Sequence, residues 1–181
     1  LTVHAHEGHT RATMKIQEGC DRWCTYCIIP SVRGPIRSRP VDEIAAEAQS
    51  LAEAGFREVV LTGIHLTSYG RDVKDGTTLL DAIRAAHDVP GIARVRLGSL
   101  EPVVVTPEFV EGIKALPKVC HQFHLALQSG SDTVLARMHR RYTGGEFLTA
   151  CAMLREAFED CALTTDVMTG FPGETEEEFA Q

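Results

Sequence analysis

The chain has 181 residues, of which 44% are hydrophobic and 24% charged, a composition typical of an ordinary globular domain. No apolar stretch approaches the roughly 20 residues that cross a bilayer, so the sequence predicts no membrane span or membrane partner. The net charge of −7 disfavours broad nucleic-acid binding, except by residues 1–41, which hold six Lys and Arg against three Asp and Glu.

Strand-like and helix-like segments alternate from residue 14 onward. A strand over 14–18 precedes a helix over 41–54, in which apolar residues recur at helical spacing. Further strands are predicted over 58–62, 94–97, 123–127 and 163–169, and further helices over 78–87, 107–116 and 143–158. Four residues are predicted helix N-caps, and the last two of them precede a Glu at capping-box spacing: Thr106, Ser131, Thr143 and Thr175.

Five strand–helix units in succession predict an α/β fold with a parallel sheet, because parallel neighbours need crossover helices. A doubly wound sheet and a partial or complete barrel both fit this alternation. In either fold, functional residues gather at the carboxyl ends of the strands. The most distinctive segments of the sequence fall at those ends: 20–27, 63–69, 98–102, 128–131 and 170–174.

Three cysteines follow the first predicted strand in a C-x3-C-x2-C pattern: Cys20, Cys24 and Cys27. Spacing this tight, without a secretory signal, favours metal ligation in a reducing, cytosolic compartment over disulfides. Three thiolates are one fewer than a 4Fe–4S cluster usually takes, which leaves one iron open to a further ligand. The alternative is a zinc site that borrows a histidine from His4, His6 or His9.

Six distinctive segments follow in order along the chain: Lys15 to Cys20, Cys24 to Pro30, Arg33-Gly34 with Ser38-Arg39-Pro40, Leu127 to Asp132, Met138 to Thr143, and Gly170 to Thr175. Through them the chain, from about Thr10 to Gln181, resembles the radical S-adenosylmethionine methylthiotransferases. Any one of them is weak evidence, but six on one chain identify the family.

Two further segments distinguish the branches of this family. Residues 61–66 and 96–102 are most like the branch that modifies threonylcarbamoyladenosine in tRNA. The isopentenyladenosine branch is expected to have Gly-Gln-Asn and Ser-His-Pro at these places. The branch that modifies a ribosomal-protein aspartate shares Tyr69-Gly70, but Gln128-Ser129-Gly130 argues against it. A different radical enzyme and a non-enzymatic zinc or iron–sulfur module are the remaining alternatives.

The resemblance implies a partial TIM-like (β/α) barrel that ends after about five β/α units. Residues 14–181 would form the radical core, incomplete at its C-terminus, and residues 1–13 a linker from an N-terminal domain outside this sequence. Family members carry a second 4Fe–4S cluster on that N-terminal domain and a C-terminal β-barrel that grips RNA.

The implied reaction is a transferase reaction of tRNA processing, in which a methylthio group replaces hydrogen at carbon 2 of the modified adenosine beside the anticodon. One S-adenosylmethionine would supply the methyl group, and a second would be cleaved at the cluster to give a 5′-deoxyadenosyl radical. The implied partners are tRNA and a low-potential electron donor, and the expected location is the cytoplasm.

The resemblance also assigns site residues. Cys20, Cys24 and Cys27 would hold the cluster, and the predicted cofactor-binding residues are Gly63, Ser99, Glu101, Gln128 and Arg140. Ser99 and Glu101 would meet the ribose of S-adenosylmethionine, although Glu101 could instead cap a helix. Arg140 would pair with the methionine carboxylate, although a solvated arginine at a helix C-terminus is the alternative. No catalytic residue is assigned.

A basic loop follows the cysteines, with Arg33, Arg37 and Arg39. Contact with RNA phosphates is one interpretation, and a solvated surface is the other. Trp23 and Tyr26 lie inside the cysteine loop, where the alternatives are that they shield the cluster, that they approach the adenine, or that they only pack to exclude water.

Overall fold

The computed structural model describes residues 10–181, so His4, His6 and His9 of the zinc alternative lie outside the described residues, as does most of the predicted linker. Within this range the strands are β1 (Ala12–Glu18), β2 (Arg37–Ser38), β3 (Glu58–Gly63), β4 (Arg94–Leu97), β5 (Gln122–His124) and β6 (Ala162–Thr164). The helices are α1 (Ile29–Arg33), α2 (Val41–Glu53), α3 (Leu79–His87), α4 (Pro107–Lys114), α5 (Asp132–Arg137), α6 (Gly144–Ala157) and α7 (Glu176–Phe179). Two 3₁₀ turns, Leu66–Ser68 and Pro102–Val104, follow β3 and β4.

The parallel strands follow one another in chain order across the sheet. Strand β1 pairs with β3, β3 with β4, and β5 with β6, each in parallel. Parallel bridges at Val95–Val119 and Leu100–Leu125 join the β4 segment to the β5 segment. Such sequential order is that of a barrel and not of a doubly wound sheet, in which the order reverses. The predicted partial barrel is therefore confirmed.

The crossover helices form a layer on the outside of these strands. Helix α2 contacts α3, α3 contacts α4, and α4 contacts α6, as expected when right-handed crossovers connect strands in sequence. Their apolar faces are buried in the same core as the strands, which includes Ile44 and Leu51 of α2 with Met14 and Ile16 of β1. The loops that follow the carboxyl ends of the strands therefore form one rim of the partial barrel. No helix among residues 10–181 is both long and apolar enough to cross a membrane.

The predicted helix starts are largely confirmed. Thr106 accepts a hydrogen bond from the amide of Phe109, and complete capping boxes form at Thr143 and Thr175. Ser131 lies at the N-cap of α5, but its hydroxyl contacts Oγ1 of Thr133 and makes no cap hydrogen bond. The predicted helix start at Ser131 is therefore confirmed, but no side-chain hydrogen bond caps it.

Several elements differ from the sequence prediction. Strand β2 and helix α1 were not predicted, and β2 pairs antiparallel with the end of β1. The strand predicted over 163–169 is regular only to Thr164, but beyond it the chain still exchanges backbone hydrogen bonds with Gln128. Gln128 has a φ of 70°, which interrupts the regular ladder there.

Candidate cofactor site at the carboxyl ends of the strands

The cysteine loop leaves β1 through a turn that only glycine fits. Gly19 has a φ of 71°, and a Cβ on it would lie 1.9 Å from the carbonyl oxygen of Pro35. The amide of Cys20 then donates to the carbonyl of Gly34 at 3.1 Å. The first cysteine is therefore fixed where β1 ends.

The three thiols of this loop are free and half-buried. Burial raises the pKa of the Cys24 thiol, the nearby charge of Arg140 opposes this rise, and the charges of Cys20 and Cys27 add to it. The thiols are thus close enough to act on one another electrostatically. Among residues 10–181, however, no three His, Cys, Asp or Glu side chains converge on a single metal-ion position. Three free thiols on one short loop are the donor set of a 4Fe–4S cluster that leaves one iron open to a further ligand.

Three cationic or polar side chains contact the buried carboxylate of Glu101: those of Arg22, His65 and Arg140. Glu101 is 4% exposed, and its Oε1 accepts a hydrogen bond from Nη1 of Arg140 at 2.9 Å. Its Oε2 lies 3.0 Å from Nη2 of Arg22 and 3.1 Å from Nε2 of His65. Arg22 follows β1, His65 follows β3 and Glu101 follows β4. Three strand ends therefore meet at one carboxylate.

Opposing effects set the ionisation of Glu101. Burial raises its pKa, but the close contact with His65 and the charges of His65, Arg22 and Arg140 outweigh burial, so the pKa of Glu101 lies below its ordinary value. Among the described residues, Nε of Arg140 and Nδ1 of His65 are buried without a hydrogen-bond partner. Unpartnered buried nitrogens of this kind fit a site that a polar ligand completes.

Arg140 connects this carboxylate to the cysteine loop. Its Nη2 donates to the hydroxyl of Tyr26 at 2.7 Å, and that hydroxyl donates to Oε1 of Gln128 at 3.2 Å. The guanidinium also lies over the rings of Tyr26 and Tyr142, 5.8 and 5.7 Å from their centroids. Because its side chain is 11% exposed, Arg140 is not the solvated helix-end arginine of the alternative interpretation.

Backbone strain is concentrated in this region. Among residues 10–181, three non-glycine residues have a positive φ: Trp23, Gln128 and His139, at 52°, 70° and 60°. Trp23 belongs to the cysteine loop, Gln128 contacts Tyr26, and His139 contacts the carbonyl of Trp23 at 3.3 Å. Strained residues persist where the surrounding structure holds them and cluster at functional sites. Their positions independently mark the same rim.

The predicted cofactor-binding residues fall into two groups. Glu101, Gln128 and Arg140 lie in one network, and Glu101 makes no side-chain cap to the 3₁₀ turn that follows it. Gly63 instead abuts the protein, since a Cβ there would lie 2.8 Å from Oε1 of Gln17, which accepts from the amide of His65. Ser99 is exposed. Roles for Gly63 and Ser99 toward a cofactor stay predictions.

Two members of the network were not predicted as site residues, Arg22 and His65. Each lies a few residues beyond a predicted strand end, and His65 also lies in the branch-distinguishing segment 61–66; these signals in the sequence could have found them.

The basic loop divides in a similar way. Arg39 pairs with the buried Glu47 and with Glu43, so it stabilises the fold. Arg33 and Arg37 are exposed.

Comparisons with known proteins agree with this geometry. The sequence profile of the Radical SAM superfamily matches residues 14–181. The threonylcarbamoyladenosine tRNA methylthiotransferase MtaB of Bacillus subtilis is 45% identical over 181 residues, which are all of this chain and 40% of that protein. The tRNA-2-methylthio-N(6)-dimethylallyladenosine synthase of Symbiobacterium thermophilum is 44% identical over 185 residues, covering 98% of this chain and 39% of that protein. The chain thus spans about two fifths of the length of these relatives.

A solved structure shares the fold. The radical S-adenosylmethionine methyltransferase TsrM of Kitasatospora setae, with cobalamin and a [4Fe-4S] cluster bound, superposes with a TM-score of 0.73 at 21% identity. The superposition covers 92% of this chain and 32% of that one.

Proposed function

The chain belongs to the radical SAM superfamily, whose cofactors are a 4Fe–4S cluster and S-adenosylmethionine, and on that premise we propose that Cys20, Cys24 and Cys27 hold the cluster. The observation that carries this proposal is the loop itself, with three free, half-buried thiols at the end of β1. The cationic network beside it, which contains unpartnered buried nitrogens, supports a polar cofactor at the same rim.

Together the cluster and S-adenosylmethionine supply hydrogen-atom abstraction from an unactivated C–H bond. The residues of the chain bind and orient. We propose that Arg140, whose Nε is free, takes the carboxylate of the methionine moiety, because a guanidinium fork matches a carboxylate. Glu101 is held ionised and accepts the ribose hydroxyls. Tyr26 and Phe171, in edge-on contact with ring centroids 6.4 Å apart, exclude water from the rim.

For the whole protein we propose a tRNA methylthiotransferase acting on threonylcarbamoyladenosine. The 45% identity to the Bacillus subtilis enzyme over the entire chain supports it. The two branch-specific segments also meet, since His65 of one lies 3.1 Å from Glu101 of the other. Because the two segments are in contact, their resemblance to the threonylcarbamoyladenosine branch counts as one feature of the site.

The isopentenyladenosine branch, whose modified nucleoside is also named dimethylallyladenosine, is the second candidate. Several tRNA-2-methylthio-N(6)-dimethylallyladenosine synthases are 38–44% identical to the chain. In both branches tRNA in the cytoplasm is the proposed substrate, and a low-potential donor supplies electrons. The second cluster is proposed to lie on an N-terminal domain outside residues 1–181, and residues 14–181 are proposed to be the radical core.

Nucleoside analysis distinguishes the candidates. The complete gene that encodes this chain is expressed in a bacterium lacking both tRNA methylthiotransferases, and digested tRNA is analysed by mass spectrometry. We expect 2-methylthio-threonylcarbamoyladenosine from the wild type and none from Cys20→Ala. If methylthiolated isopentenyladenosine were the single product, the protein would be assigned to the isopentenyladenosine branch. Neither product, from a soluble protein that holds its cluster, would overturn both proposals.

A further inference from the structure

The cysteine loop rests on the C-terminal end of helix α5. The amide of Thr25 donates to the carbonyl of Met138 at 3.2 Å, and its hydroxyl donates to the carbonyl of Arg137 at 3.1 Å. The last carbonyls of a helix have no partner within the helix, so an outside donor must satisfy them. Thr25, directly after Cys24, is that donor, and α5 therefore determines where this part of the loop lies.

The same end of α5 is held from its other side by the C-terminal segment. Nη1 and Nη2 of Arg137 donate to Oε1 and Oε2 of Glu178 at 2.8 and 2.7 Å, a two-pronged pairing with defined geometry. Nη2 also donates to the carbonyl of Gly173 at 3.2 Å. Glu178 in turn accepts from the amide of Thr175 and from the hydroxyl of Thr133. One carboxylate thus fastens α7 to α5.

We propose that Glu178 is a positioning residue for the cysteine loop, acting through Arg137 and Thr25. Glu178 touches no cysteine, and its effect runs from the segment after β6, through the end of α5, to the loop after β1. Phe171, in the same C-terminal segment, packs on Tyr26 of the loop and provides a second connection.

Glu178 is ionised under ordinary conditions. Hydrogen bonds from Arg137, Thr133 and the amide of Thr175 lower its pKa to about 2. Its pairing with Arg137 is therefore intact at neutral pH and would be lost only as the pH falls through about 2.

The chain offers a matched control for this role. Glu146 forms the same capping box with Thr143 at the start of α6, with its Oε2 accepting from the amide of Thr143 at 2.7 Å. Glu146→Gln therefore removes the same charge from the same kind of capping box, at a position without a connection to the cysteine loop. Hydrogen exchange in the metal-free protein measures the protection of the cysteine loop directly, because the amide of Thr25 is hydrogen-bonded to the carbonyl of Met138.

In Glu178→Gln we expect the peptide covering residues 20–27 to exchange about ten-fold faster, since local opening follows the loss of a charge-assisted contact. Glu146→Gln should leave that peptide unchanged and speed only the first turn of α6. Thr25→Val should reproduce the effect of Glu178→Gln, and Thr25→Ser should keep the loop protected. The proposal would be overturned if residues 20–27 exchanged at the wild-type rate in Glu178→Gln. It would also be overturned if Glu178→Gln and Glu146→Gln accelerated the exchange of this peptide equally.

A second readout uses the reconstituted cluster and so rests on the proposed function. The g values and midpoint potential of the reduced cluster should shift in Glu178→Gln and stay at wild-type values in Glu146→Gln. An unshifted potential together with faster loop exchange would show that Glu178 holds the loop but does not position the cluster, against the proposal. Failure of the wild type to bind iron would count against the proposed function alone, because the exchange result stands without metal.

Discussion

At the scale of single residues, the site is organised around one buried carboxylate. The sequence assigned Glu101 and Arg140 separately to the cofactor, and the structure pairs them at 2.9 Å. The cysteines, Glu101, Gln128 and Arg140 could be predicted because the motifs that contain them are distinctive. The contacts of Arg22 and His65 could not, because they depend on which strand ends become neighbours.

Arg140→Ala should weaken binding of S-adenosylmethionine by about ten- to hundred-fold, because it removes a charge-assisted contact to the carboxylate. Arg140→Lys should recover little of this loss, since an ammonium lacks the planar fork. Equilibrium binding to the reconstituted protein measures the effect, with the exposed neighbour Arg141→Ala as control. If folded Arg140→Ala bound S-adenosylmethionine with the dissociation constant of the wild type, Arg140 would not be a cofactor-binding residue.

At the scale of elements, apolar and β-branched runs predicted the five parallel strands, and helical spacing of apolar residues predicted the main crossover helices. Strand β2 escaped prediction because it has two residues and is fixed by distant contacts. The amide and hydroxyl of Ser38 both donate to the carboxylate of Asp72, at 2.9 and 2.5 Å. Local sequence carries no trace of such a partner. The turn from β1 into the cysteine loop packs against Gly34 and Pro35, the residues just before β2.

Gly19→Ala should destabilise the protein by about 2–4 kcal/mol, because a positive φ and a clash with the Pro35 carbonyl act together. Gly55→Ala is the control, with a φ of 94° and nothing within 4 Å of the added Cβ, and it should cost about 1 kcal/mol. Urea unfolding measures both. Equal losses would mean that the Pro35 contact is relieved and that Gly19 does not fix the start of the cysteine loop.

At the scale of the whole molecule, sequential strand order brings the residues that follow β1, β3, β4 and β5 to one rim. The sequence left two sheet arrangements open because both have the same alternation of strands and helices. Neighbour order decides between them, and it appears only in the pairing of β1 with β3 and of β3 with β4. The described sheet ends at β6, whose Ala162 and Thr164 are exposed. The rim, and not any single element, is thus the candidate cofactor site.

The most direct test of this account is whether the protein, reconstituted anaerobically with iron and sulfide and then reduced, cleaves S-adenosylmethionine. Mass spectrometry quantifies 5′-deoxyadenosine, with tRNA present to detect any methylthiolated nucleoside. We expect 5′-deoxyadenosine from the wild type, none from Cys24→Ala, and no methylthiolated nucleoside from this chain alone. A colourless protein that forms no 5′-deoxyadenosine, or a Cys24→Ala variant that forms as much as the wild type, would contradict it.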